Sequence, residues 1–183
     1  MDISPKAGRS TPVWLTTALV IAYLFLPTLC QSTRAQDSTP DDVLAQGAGT
    51  TIVQAGTGRP TFTPVLTKVA FHVERRSGGV TGDFECLALV PAVETGVGSG
   101  AFTVNAMYVT GRVSSVSVTA DVLTIAGFAD ITGVGAGTEV PFNFVTRNGG
   151  PGTSAILTTG GQGHTLVFHE ILLEGSFRVG PEK

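Results

Sequence analysis

A chain of 183 residues, about 18.8 kDa, is long for one domain and short for two. Only 14% of its residues are charged, 24 are glycine, and the mean hydropathy is +0.30, which excludes a charge-rich disordered chain. With 11 Lys and Arg against 14 Asp and Glu there is no basic excess for nucleic acid, and the preponderance of Gly, Thr and Val over helix formers excludes a helical bundle.

Lys6 and Arg9 precede a mostly apolar run from Val13 to Cys30, and Thr33-Arg34-Ala35 follows with small residues where a signal peptidase reads. This three-part layout predicts a secretory signal over residues 1–35, cleaved between Ala35 and Gln36. The competing reading is a retained membrane anchor, because the run approaches spanning length, but Thr16, Thr17, Pro27 and Thr28 dilute it. Leu29 occupies the place where lipoprotein processing wants a small residue, so Cys30 is read as part of the apolar run. Cleavage leaves 148 residues with 8 basic and 13 acidic side chains, enough to bury a core. It also leaves Cys86 alone in the apolar run Phe84–Val90, which predicts a buried free thiol and no intramolecular disulfide.

Residues 36–60 are polar and turn-rich at first and carry no sustained period, so they are expected to form a flexible linker, with a first edge strand around Thr51–Val53. Regular patterning begins near Phe62. Val69, Phe71 and Val73 alternate with Lys68, His72 and Glu74, the period-two mark of a half-buried strand. Ser77-Gly78-Gly79 turns the chain and Asp83–Val90 returns, which predicts a hairpin. Further strands are expected over 101–109, 112–118, 120–125, 128–131, 142–146, 155–158 and 164–173, the last extending through Phe177-Arg178-Val179. Gly96–Gly100, Gly133–Gly137, Asn148–Gly152 and Gly160–Gly163 supply the turns between them. Eight or nine short strands without room for crossover helices predict an all-β domain over 61–183: an antiparallel sandwich, or alternatively a barrel.

Chemistry-bearing patterns are sparse. The clusters Gly96–Gly100 and Gly133–Gly137 both run G-x-G-x-G into strands, whereas phosphate loops lead into helices, so nucleotide binding is excluded and no cofactor is expected. No G-x-S-x-G elbow occurs, and no Trp remains after Trp14 departs with the leader, which weakens a sugar-stacking surface. The sharpest metal candidates are His72 and Glu74 on one strand face, Asp83 and Glu85 on its hairpin partner, and His169 in a second Phe-His pair. Against that stands the plainer reading of His72, Lys68 and Glu74 as a solvated strand face, and of His169 as a partly buried histidine beside Val167, Ile171 and Leu173. Glu170 and Glu174, four apart on a strand, are about 13 Å apart along it and make a poor acid–base pair; one of them is expected to pair with Arg178 or Arg147.

The runs Gly82–Ala88, Gly127-Phe128-Ala129-Asp130 and Pro141-Phe142-Asn143-Phe144 with Asn148-Gly149-Gly150-Pro151-Gly152 resemble small exported bacterial β-domains of the post-COAP type. The resemblance spans about residues 66–180. It implies a β fold and export, with no assigned activity and no catalytic residue to carry over. The expectation is therefore a secreted or periplasmic, non-catalytic module whose partner is another protein or a surface polymer, without nucleic acid, and with membrane contact only if the leader is retained. Its sheet edges would be open to strand addition. The alternative is a small β-barrel enzyme or ligand carrier using His169 and His72 with a carboxylate.

Overall fold

A computed structural model describes residues 43–57, 64–92, 101–161 and 163–181. The expected leader and its cleavage point between Ala35 and Gln36 lie outside the described residues. Eight antiparallel strands follow in chain order: β1 (Val43–Gly56), β2 (Leu66–Arg76), β3 (Gly79–Pro91), β4 (Phe102–Thr119), β5 (Val122–Gly133), β6 (Gly137–Arg147), β7 (Ser154–Gly161) and β8 (His164–Pro181). Each pairs with the next, and β1 also pairs with β8, so the sheet closes on itself. The chain is all-β as expected, and of the two architectures it takes the barrel rather than two packed sheets. Closure removes the free edges on which strand addition was expected to work.

Three local expectations change. The edge strand expected around Thr51–Val53 is part of a longer one, and residues 43–56, otherwise read as linker, form β1. Val43, Ala45, Thr51 and Val53 are buried at alternate positions, but Gly47 and Gly49 stand in the same inward series and interrupt its apolar period. The segments 101–109 and 112–118 are one 18-residue strand, β4. A bulge between Val113 and Ser115 moves the inward set from Met107, Val109 and Val113 to Val116, so the period breaks although the strand does not. Likewise 120–125 and 128–131 merge into β5, with Gly127 at an inward position between Ile125 and Ala129.

An eight-stranded barrel is just wide enough for its own side chains to fill it, or for one small ligand. Here five phenylalanines fill the middle. Phe144 contacts the rings of Phe71, Phe84 and Phe177 at centroid distances of 5.6, 5.0 and 6.0 Å, and Phe84 stacks on Phe142 at 5.0 Å. Wall glycines make room for them: a Cβ at Gly111 would lie 2.7 Å from the Phe142 ring, and one at Gly47 would lie 2.6 Å from that of Phe177.

The 8 residues of β7 cannot pair all 18 of β8. The Asn148–Thr153 turn supplies the missing partners. Gly149 exchanges backbone hydrogen bonds with Phe177 at 3.0 and 2.8 Å, and the Gly152 and Leu172 N–H groups donate to Leu172 and Thr153 carbonyls at 2.7 and 2.8 Å. The Asn148 side chain accepts from the Val179 N–H and donates to its carbonyl. Outside, the wall carries Lys68, His72, Asp83, Glu85, Arg112 and Asp130, all exposed, where a membrane barrel carries an apolar band. No helix among the described residues is long and apolar enough to cross a membrane.

Candidate functional site

Beyond the phenylalanines the inward residues become smaller. Val53, Val65, Thr67, Cys86, Ala88 and Met107 surround a cavity of about 170 Å³ instead of filling it. The cavity runs to the exposed residues Thr57 and Val134 (the latter 54% accessible), so it meets solvent at one barrel end. Its inner wall includes Glu170, which is only 2% exposed.

Glu170 faces inward because β8 alternates. Phe168, Glu170 and Leu172 share the inner face, while His169 lies outside. The carboxyl is held by two hydroxyls from neighbouring strands. Thr67 of β2 donates to Glu170 Oε2 at 2.7 Å, Thr51 of β1 donates to the same oxygen, and the two threonine oxygens also contact each other. Glu170 Oε1 is buried and has no hydrogen-bond partner among the described residues. Removing the carboxyl from water pushes its pKa up; the Thr51 and Thr67 hydrogen bonds oppose this, and burial wins. Cys86, free and fully buried as expected, has its thiol pushed well above the ordinary range, first by burial and then by any negative charge on Glu170, with a Thr67 hydrogen bond opposing.

A buried acid with a raised pKa binds its proton more tightly folded than unfolded. Its stability contribution is full below the ordinary carboxyl range near 4.5, and is lost as pH climbs from there to the raised folded value. Glu170→Gln removes that titration. The variant is expected to gain on the wild type as pH rises from 4 to 7, by at most about 1.4 kcal/mol per pH unit for one proton. Urea midpoints at several pH values measure it; a stability difference constant across that range contradicts a raised Glu170.

The residues singled out from the sequence lie elsewhere. His72, Glu74, Asp83 and Glu85 belong to the outer wall of β2 and β3, with His72 opposite Asp83 and Ala70 opposite Glu85. The His72 side chain is 56% exposed and its Nε2 is 3.2 Å from Glu74 Oε1, while Glu74 Oε2 pairs with Arg76 at 3.1 Å. Glu85 and Lys68 line a shallow outer groove with Tyr108, and His72 lines another with Arg178. His169 is exposed rather than partly buried, because the face it shares with Leu173 is the outer one. His169 pairs with Ala55 and His72 with Gln46, nine residues apart on β1, or about 30 Å along the wall, so the two histidines do not meet. Among the described residues no three His, Cys, Asp or Glu side chains cluster as a metal site. Of the two glutamates, one of which was expected to pair with Arg178 or Arg147, Glu170 is held by the two threonines instead, and Arg147 pairs with Asp121 at 3.4 Å.

Fold and cavity together define a closed eight-stranded β-barrel with an internal apolar site around one buried carboxyl. Comparison with family models, curated proteins and solved structures finds no match to the chain.

Proposed function

We propose that this barrel is an exported binding module that holds one small, largely apolar molecule inside its cavity. The observation that carries the reading is the cavity itself, which is walled almost wholly by apolar side chains and meets solvent at one barrel end. Small-molecule sites characteristically combine an apolar wall with a few placed polar groups. Two features favour binding over turnover. Among the described residues Glu170 and Cys86 are the ionisable ones lining the cavity, and burial holds both toward their neutral forms. The histidines that would serve a catalytic base sit on the outer wall. Export rests on the N-terminal layout and on the resemblance to small exported β-domains.

Toluene titration tests the cavity. The Met107 methyl resonance is expected to shift and saturate in the wild type and to stay still in Ala88→Leu, which occupies part of the space. At tenfold excess over Kd the ligand adds about 1.4 kcal/mol of stability, roughly 3–5 °C in Tm. An unmoved Met107 methyl in saturated toluene overturns the proposal.

A further inference from the structure

The cavity of about 170 Å³ is close to the engineered apolar cavities of roughly 150 Å³ that take up benzene, so its occupant has the size of a single ring. The chemistry of that occupant follows from how the wall uses its own polar groups. Four of the thirteen lining residues carry a polar side chain: Thr57, Thr67, Cys86 and Glu170. Thr57 donates to the Thr165 carbonyl and accepts from the Val167 N–H, at 3.2 and 2.9 Å, so its hydroxyl belongs to β8. Thr67 donates to Glu170 Oε2 at 2.7 Å, and its oxygen also meets Thr51 Oγ1. The Cys86 thiol, a weak donor, is hydrogen-bonded to the same threonine. Glu170 Oε2 takes the hydroxyls of Thr51 and Thr67, and Oε1 has essentially no accessible surface, so a molecule in the cavity does not reach it. The backbone near the mouth is committed as well. The Val65 and Ala106 carbonyls accept from the Val53 and Val134 N–H groups, both at 2.9 Å, and the Val167 carbonyl accepts from the Thr57 N–H at 3.0 Å.

We infer that the cavity takes a neutral hydrocarbon of about single-ring size and discriminates against ligands of the same shape that carry a hydrogen-bonding atom. The inference rests on the binding function proposed above and specifies its ligand. Among the described residues, the polar side chains of the wall are bonded to one another or to the backbone, or are closed off from the cavity. A polar atom carried inside therefore gives up its water and gains no partner, which is the costly form of burial. A hydrocarbon gives up no hydrogen bond on entering, and the other nine lining residues offer it apolar contact. An ion is opposed more strongly still, because a charge without a hydrogen-bonded counter-charge is the most expensive group to bury. Selection thus comes from what the wall withholds: its four polar residues complete the barrel and leave the ligand an apolar surface.

Two isosteric pairs test this in the full protein at pH 7, each ligand followed through the Met107 methyl resonance. Phenol puts a donor in place of the toluene methyl, and pyridine puts an acceptor in place of a benzene C–H. A polar group that keeps partial hydrogen bonding loses up to about thirtyfold on leaving water, and one left without a partner loses more. Phenol is therefore expected to bind at least about thirtyfold more weakly than toluene, and pyridine at least about thirtyfold more weakly than benzene. A smaller gap for phenol means that the wall holds an acceptor open to the ligand. A smaller gap for pyridine means that it holds an open donor, the Cys86 thiol being the nearest candidate. Either result overturns the inference and leaves the binding function intact. Failure of both toluene and benzene to move the resonance removes the proposed function itself.

Discussion

Phe144→Ala is expected to cost about 3–5 kcal/mol of folding stability and to lower Tm by roughly 10 °C. Phe144 is fully buried and touches the rings of Phe71, Phe84 and Phe177. Removing it deletes three aromatic contacts and opens a void where the barrel is packed. Collapse cannot close that void easily, because the wall is a continuous hydrogen-bonded cylinder whose radius is set by its strand number. Phe144→Leu keeps most of the volume and is expected to cost about half as much. Phe128→Ala provides the control: Phe128 lies on the outer face of β5, 48% exposed, and its loss should change stability by about 0.5 kcal/mol or less. Urea midpoints for the three variants settle the matter. Similar losses at Phe128 and Phe144 would mean that the ring cluster is not what holds the barrel together.

The parts of this fold legible in the sequence are those whose period survives. Val69 and Phe71 on β2 face Cys86 and Phe84 on β3 across a short Ser77-Gly78 turn, Val73 and Ala88 continue the same inward series, and all six are buried as their alternation predicts. What the alternation conceals is any place where a glycine replaces an inward side chain, as in β1, or where a bulge shifts the inward set by one, as in β4. Closure was also hidden, because it depends on pairing β1 with β8 from opposite ends of the domain, and no local pattern reports that contact. The cavity carboxyl was signalled more directly. Glu170 sits in the same alternating series as Leu166, Phe168 and Leu172, which all line the interior. A lone acid on an apolar strand face is the informative observation, because charged residues are rarely buried without a reason. Attention to the histidines led instead to the outer wall, since His72 and His169 carry familiar metal-binding chemistry but occupy the polar half of the alternation.

Gly175→Ala is expected to destabilise the barrel by about 3 kcal/mol or more, and for a different reason. In β8 the inward positions are Glu170 and Leu172 above and Phe177 below, an even set followed by an odd one. The switch is made by a bulge: Thr51 pairs with Leu172 and Thr50 with Glu174, so Leu173 is skipped and stands 48% exposed. Gly175 lies just past it with φ of +102°, a conformation that L side chains avoid. It also pairs with Gly49, and a Cβ on Gly175 would lie 2.1 Å from the Ala48 carbonyl oxygen. An alanine there must change both its backbone angle and the β1–β8 spacing that closes the cylinder. Gly180→Ala, on the same strand with open space around its Cβ, should stay within about 0.5 kcal/mol of the wild type. The bulge also joins the two functions of β8, since a one-residue slip exchanges inward and outward side chains. It lets a single strand present Glu170 to the cavity and Phe177 to the ring cluster. Loss of stability in Gly175→Ala together with weakened toluene binding would place the bulge upstream of both; an unchanged urea midpoint would show that β8 keeps its inward set without it.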